Sequence, residues 1–180
     1  MGESVSQEDW DKAEDLLRVW LRRAREGQHM HHEAGKYFRR AHYTIAIPVV
    51  VITTVLGTAT FATITSKLSA TTKIWFGALT LLAAALAALQ LHLRYLERAE
   101  KHKSIGANYG KIRRDIETLL ALTRTTRGDA KEAIATLKAD LDRISSEGDA
   151  VSRRIYNKTL ERLAARDRTK RDNPESLPQP

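Results

Sequence analysis

The stretch AHYTIAIPVVVITTVLGTATFATITS, residues 41–66, contains no aspartate, glutamate, lysine or arginine, and neither does IWFGALTLLAAALAALQLHL, residues 74–93. Only KLSATTK, residues 67–73, separates them. A bilayer hydrocarbon core about 30 Å thick requires about 20 apolar residues in a helix, so each stretch is long enough to cross it. The sequence therefore predicts an all-α protein containing a two-helix transmembrane hairpin, residues 41–93, with spans at about 43–65 and 74–93.

A soluble protein can also contain two apolar helices if other elements bury them on all sides. That alternative needs a large surrounding protein, and the remainder of this 180-residue chain is short and polar. Aromatic residues also stand at the ends of the two stretches, where an aromatic belt meets the lipid headgroups, namely Tyr43, Trp75, Phe76 and Tyr95. We therefore expect the lipid bilayer to be the partner of residues 41–93.

The distribution of basic residues predicts the orientation. The flanks of the hairpin carry Lys36, Arg39, Arg40, Arg94, Arg98, Lys101 and Lys103, whereas the connecting turn carries Lys67 and Lys73. Because positive charge near span ends is retained in the cytoplasm, both termini are expected to be cytoplasmic. The acidic start of the chain lacks the short apolar core of a cleavable signal peptide. The predicted location is the inner (cytoplasmic) membrane, with a multi-pass topology.

The polar regions are predicted to be helical. Residues 1–40 are expected to form a cytoplasmic amphipathic helix ending near Gly27, followed by a juxtamembrane segment. Residues 94–171 are expected to form a cytoplasmic helical bundle or coiled coil, with a turn at 123–129 and a break at Gly148 and Asp149. No proline lies between Pro48 and Pro174, which predicts one continuous helix leaving the second span. Residues 172–180 are expected to be a disordered tail.

Composition and motifs exclude several functions. The formal net charge is +8, but basic and acidic residues are mixed along the helices, so no nucleic-acid partner is expected. The chain has no cysteine, which excludes disulfides and thiolate metal sites. It also lacks a phosphate-binding glycine loop, a nucleophile elbow and a helical zinc-binding motif. The sequence therefore predicts neither an enzyme nor a cofactor.

The two close spans, the helix expected to leave the second one, and the segments ERAEKH (97–102) and YGKIRRDI (109–116) resemble the SLATT domain. The resemblance extends from about residue 29 to residue 163. It implies a bacterial two-span effector of a nucleotide-signalling conflict or anti-phage system, triggered by a nucleotide signal or a partner protein. Such effectors assemble as homo-oligomers through their cytoplasmic helices and form a membrane pore that arrests growth or kills the cell. Before the last helix, where relatives often contain a proline, this chain has GDAV, residues 148–151.

Two sets of residues are candidates for these roles. The first span carries Thr53, Thr54, Gly57, Thr58 and Thr65, which could line a narrow wet path or could simply pack against another helix. The candidates for oligomerisation in the cytoplasmic region are Tyr109, Ile112, Ile116 and Leu119. Two functions from another class stay open, namely a non-conducting membrane-anchored coiled-coil scaffold and a small channel subunit.

Histidines give the remaining candidates. His42 and His92 lie at the cytoplasmic ends of the spans, where their protonation could bias a gate or where they could simply reach the headgroups. His29, His31, His32 and Glu33 have the spacing of a metal site. A fourth ligand and a supporting shell are not evident, so we expect a solvated juxtamembrane turn and no metal.

Overall fold

The computed structural model describes the backbone of residues 2–63 and 69–172, and the side chains of residues 9–59, 69–169 and 171–172. The helices are α1 (Gly2–Thr63), α2 (Ala70–Leu93), α3 (Tyr95–Ala121), α4 (Ala130–Glu147) and α5 (Arg153–Asp172), with a 3-10 turn at Arg124–Thr126. The described residues contain no β-strand, which confirms the all-α prediction. Asp172 ends α5, and the rest of the predicted tail lies outside the described residues.

The chain forms two compact units. The bundle unit comprises Met1–Gly35 and Lys101–Pro180, and the apolar unit comprises Lys36–Glu100. Helix α1 contributes to both units, and the break between α2 and α3 lies within the apolar unit. The predicted hairpin, residues 41–93, lies within the apolar unit.

The bundle unit has its own hydrophobic core, formed by α1, α3 and α4. Its buried members are Trp10, Ala13, Leu17, Ala24, Ile105, Ile112, Ile116, Leu137 and Ile144. Those on α1 recur every three, four or seven residues, the spacing that brings side chains to one face of a helix. Each fully buried leucine or isoleucine stabilises the fold by about 1.5–3 kcal/mol, so this cluster is the main source of the unit's stability.

An ion-pair cluster joins α1 to the loop that follows α3. Glu14 accepts hydrogen bonds from Arg127 Nη1 at 2.6 Å and from Arg124 Nε at 3.0 Å. These two donors hold the pKa of the Glu14 carboxyl below its usual value. The Arg127 guanidinium also lies 5.3 Å from the ring centre of Trp10, a cation–π contact with a core residue. The loop is thereby fixed to the start of the bundle.

The prediction that the first helix ends near Gly27 is wrong, because α1 continues to Thr63. Gly27 instead allows a close approach of α3. A Cβ at this position would lie 3.1 Å from Cδ1 of the Tyr109 ring. On α3, a Cβ at Gly110 would meet Gln28 Nε2 at 2.9 Å. Gly27 is therefore explained by its packing against the Tyr109 ring and does not mark a helix end. At Gly110 the contacting atom is the end of the flexible Gln28 side chain, which can move aside.

Gly27→Ala is expected to destabilise the bundle unit by about 1 kcal/mol. Alanine favours a helix by about 1 kcal/mol over glycine, but overpacking a tight contact costs about 1–3 kcal/mol. The Tyr109 ring has little room to yield, because it stacks on His31 at 5.7 Å. Urea unfolding of the full chain in mild detergent measures the change. Gly77→Ala, where the Cβ meets nothing within 4 Å, is the control. A higher unfolding midpoint for Gly27→Ala would refute the packing explanation.

The predicted continuous helix out of the second apolar stretch is also wrong. Helix α2 ends at Leu93, and Arg94 adopts the left-handed conformation, with φ 47° and ψ 38°. Residues other than glycine rarely adopt this conformation because their Cβ is crowded. Arg94 pairs with Glu97 at 2.5 Å, and its carbonyl accepts a hydrogen bond from Arg98 N at 3.1 Å. These contacts stabilise a break that neither proline nor glycine signals.

The other two predicted interruptions are confirmed. A 3-10 turn and Gly128, with φ 75°, occupy the region 123–129. Asp129 then caps α4 by accepting a hydrogen bond from Glu132 N at 2.9 Å. Helix α4 ends at Glu147, immediately before Gly148 and Asp149. In the following loop, Asp149 Oδ1 accepts a hydrogen bond from Lys101 Nζ at 2.6 Å, which ties this loop to α3.

Candidate functional site

The apolar unit exposes most of its large apolar side chains. Among the described side chains they are Tyr37, Tyr43, Ile47, Val50, Val51, Val55, Ile74, Trp75, Leu79, Leu81, Leu82, Leu89, Leu91 and Leu96. An 18-residue stretch within Asp9–Ala59 has a mean hydropathy of 1.6, and an 18-residue stretch within Ala70–Ala121 has a mean hydropathy of 2.0. Only 6% of each stretch is buried. Two helices are thus long and apolar enough to cross a membrane. The core helices of a soluble protein would be mostly buried, whereas these are exposed.

The threonines of α1 hydrogen-bond to their own helix. Thr53 Oγ1 donates to the Val49 carbonyl at 2.8 Å, Thr54 Oγ1 to Val50 at 2.7 Å, and Thr58 Oγ1 to Thr54 at 2.9 Å. Threonine hydroxyls in helices commonly bond in this way to a carbonyl one turn earlier. Each hydroxyl proton is satisfied within the helix, and each oxygen can still accept a hydrogen bond.

The candidate pore or packing residues share an exposed environment. Thr53, Thr54, Gly57 and Thr58 are all exposed, whereas Thr65 lies outside the described residues. A Cβ at Gly57 would meet nothing within 4 Å, so no other described residue lies against that side of the helix. These positions are open to a second chain, to lipid or to water. Both pore lining and span packing stay predictions.

The predicted gate histidines both belong to the apolar unit. The His42 ring packs edge-on against Tyr43, with 5.3 Å between ring centres. It also lines a groove of about 500 Å³ together with Gln90 and Arg94, near the end of α2. His92 is exposed on α2. A role for these two histidines in gating stays a prediction.

The candidate oligomerisation residues lie in or against the core of the bundle unit. Ile112 and Ile116 are 1% and 0% exposed, and Tyr109 and Leu119 are partly buried against the same cluster. Residues of α1 and α4 from the same chain cover them. Contacts between chains through these four residues stay a prediction, and such contacts require α3 to separate from its neighbours.

A buried histidine pair joins α1 to α3. His31 Nδ1 lies 2.9 Å from His102 Nδ1, and the two residues are 8% and 2% exposed. One Nδ1–H donates to the other Nδ1, so at least one ring must be neutral for the hydrogen bond to form. The predicted solvated turn at residues 29–33 is therefore wrong, because this segment is helical and His31 belongs to the interior.

Burial keeps these histidines uncharged. Removal from water, with a smaller effect from neighbouring His102, lowers the pKa of His31 to about 4. Burial also lowers the pKa of His102, although the charge of Asp149 partly opposes the change. Both rings are thus neutral near pH 7, unlike ordinary exposed histidines, which titrate just below that pH.

The sequence contained a signal for this pair that was missed. His31 follows Trp10, Leu17 and Ala24 at successive intervals of seven residues, which assigns it to the buried face of α1. His102 precedes Tyr109 and Ile116 at the same interval on α3. Among the described side chains, no group of three or more histidine, aspartate or glutamate residues is arranged to hold a metal ion.

No family model, curated protein or solved structure matches this chain. The resemblance to the SLATT domain therefore rests on the two apolar stretches and the segments at 97–102 and 109–116.

Proposed function

We propose that the protein is a membrane-embedded, homo-oligomeric effector. In this proposal, residues 41–93 form a transmembrane hairpin, both termini are cytoplasmic, and assembly opens a pore that arrests growth or kills the cell. The observation that carries the proposal is the exposed apolar surface of α1 and α2, whose apolar stretches are 6% buried. Exposure of apolar surface to water costs about 25 cal/mol per Å², and lipid removes that cost.

Backbone and side-chain hydrogen bonding supports a lipid environment. A segment inside a bilayer must satisfy its backbone groups internally, and a helix does so. The threonine hydroxyls of α1 donate within the helix, as at Thr53 and Thr58, so they need no water. The charged residues flanking residues 41–93 are predominantly basic, which favours cytoplasmic ends in an inner membrane.

A pore requires several copies of the chain. Two helices from one chain cannot surround a water path, so a closed ring of identical subunits is the simplest arrangement. The exposed face with Thr54 and Thr58 offers hydroxyl oxygens to such a path, as polar pore linings do. The SLATT resemblance adds the expectation of a role in anti-phage defence, triggered by a partner protein or a nucleotide signal.

A non-conducting, membrane-anchored scaffold is the second candidate. The bundle unit has a hydrophobic core of its own, so it can present a binding surface whether or not the apolar unit conducts. A scaffold and a pore share the same hairpin. They differ in whether the assembled protein lets solutes cross the bilayer.

Dye release from liposomes containing the full-length protein distinguishes the two. We expect the wild-type protein to release dye and Thr58→Lys to release it at least about tenfold more slowly per inserted molecule, because an ammonium group blocks a narrow cation or solute path. Thr44→Lys is the control, since Thr44 is exposed near Arg40 and its lysine can reach the interface. Absence of release by inserted wild-type protein would favour the scaffold. Equal release by both variants would contradict pore lining at Thr58.

A further inference from the structure

The bundle unit contains a groove between α1, α3 and α5. Its volume is about 880 Å³, which lies within the usual range for small-molecule sites. Five arginines line it, namely Arg18, Arg22, Arg25, Arg113 and Arg166, together with His29 and three carboxylates. Leu21, Leu160 and Leu163 supply apolar wall surface. The groove thus combines an excess of positive charge with a surface that can contact an apolar group.

The arginines of this groove are not all neutralised. Arg25 pairs with Asp167, with Nη–Oδ distances of 2.6 and 3.1 Å. By contrast, among the described side chains neither Arg22 nor Arg166 has an acidic partner within ion-pair distance. Arg22 and Arg166 are thus exposed guanidinium groups of the groove lining that form no ion pair among the described side chains.

Arg113 contributes an unsatisfied donor. Its Nη1 donates to Gln28 Oε1 at 3.3 Å. Its Nε is buried and makes no hydrogen bond among the described residues, although Glu117 Oε1 lies 3.3 Å away. That distance gives an electrostatic contact without hydrogen-bond geometry. A buried donor that makes no hydrogen bond is unusual in a native protein, and a bound ligand or water is one way to satisfy it.

His29 reports the electrostatic character of the same groove. Its pKa is lowered from the usual value by burial and then by the positive charges of Arg25, Arg166 and Arg113. The three arginines lie on three different helices, α1, α5 and α3. Their fields thus add at one position inside the groove, and a negative charge placed there would be stabilised.

We propose that this groove binds a small phosphorylated molecule. The planar guanidinium fork matches phosphate geometry with two parallel hydrogen bonds, and Arg22 and Arg166 are the groups available to make them. The leucine side chains then contact the non-phosphate part of the ligand. The proposal concerns the bundle unit alone and does not depend on pore formation.

Two sources can supply this chemistry, a soluble phosphate ester or the phosphodiester headgroup of an anionic lipid. Calorimetric titration of the full chain in uncharged detergent separates them, with ATP as one probe and short-chain phosphatidylglycerol as the other. Adenosine and short-chain phosphatidylcholine serve as the probes without net negative charge. We propose the soluble ester as the ligand and expect ATP to bind more tightly than the lipid.

The double variant Arg22→Gln/Arg166→Gln is expected to weaken ATP binding at least about tenfold. Arg168→Gln, an exposed α5 residue outside the groove, should leave binding unchanged. Urea unfolding checks that the double variant remains folded. If it does not, ATP binding is measured for Arg22→Gln and Arg166→Gln singly. Tighter binding of phosphatidylglycerol would overturn the soluble ester in favour of a headgroup. Binding of neither ATP nor phosphatidylglycerol, or equal ATP binding by the double variant and the wild-type protein, would overturn the phosphate site.

Discussion

The free energy of unfolding of the bundle unit is expected to fall by about 2 kcal/mol when the pH is lowered from 7 to 5. The cause is His31, whose folded-state pKa is about 4. The unfolded chain, with a histidine pKa of about 6.5, binds the proton first as the pH falls. Stability is therefore complete above pH 6.5 and is lost as the pH falls towards 4, where the total loss reaches about 3 kcal/mol.

Urea unfolding of the full chain in mild detergent, followed by tryptophan fluorescence, measures this dependence. Trp10 reports on the bundle because it is 2% exposed in the core. The titration stops at pH 5 so that only the histidines contribute to the change in stability. The pKa of the Glu14 carboxyl is lowered by Arg124 and Arg127, so the stability that this carboxylate supplies is lost only below about pH 4.5.

In the double variant His31→Gln/His102→Gln, the free energy of unfolding should change much less between pH 7 and 5 than in the wild-type protein. Two amides can retain a hydrogen bond without titrating. His32→Gln is the matched control, because His32 is the exposed neighbour of His31 on the same helix and should retain the wild-type dependence. If the double variant lost stability with pH as steeply as the wild type, the histidine pair would not be the cause.

Leu82→Arg is expected to shift the membrane-insertion equilibrium by about 100-fold towards the uninserted protein. Leu82 lies at the middle of α2 and is 49% exposed, so in the proposed placement it contacts hydrocarbon. An arginine at the centre of a span costs roughly 2.5–3.5 kcal/mol on insertion scales. Were α2 exposed to water instead, a surface arginine would change stability by less than about 0.5 kcal/mol.

The fraction of expressed protein that resists carbonate extraction from membranes measures this effect. Leu91→Arg is the matched control, since Leu91 is 81% exposed but lies three residues before Arg94, near the end of α2. An arginine there can reach the headgroups, so its loss of insertion should be much smaller. Comparable insertion of Leu82→Arg and wild-type protein would contradict the placement of α2 in hydrocarbon.

Local signals in the sequence predicted the apolar helices and the breaks at 123–129 and 148–149. Charge-free runs, a glycine–aspartate pair and clustered threonines determine the backbone conformation of nearby residues, so they predict helices and turns without knowledge of the fold. Gly27 shows the limit of this approach. As a local signal it suggested a helix end, but its role depends on Tyr109, which lies on another helix.

The break at Arg94 and the histidine pair also depend on distant or unusual features. A left-handed arginine carries no compositional signal, because the residues that adopt this conformation without strain are chiefly glycine and asparagine. The contact between His31 and His102 joins residues 71 positions apart. The seven-residue periodicity, which was missed, is consistent with a buried face for each histidine, but only the register of α1 against α3 brings the two rings together.

Removal of detergent from the purified full-length protein in the presence of liposomes tests the central claim most directly. Exposed apolar side chains along residues 43–55 and 74–91 should make the protein float with the vesicles and remain there after alkaline carbonate washing. Without liposomes, it should aggregate as the detergent is removed. A monodisperse, water-soluble particle under those conditions would contradict the account.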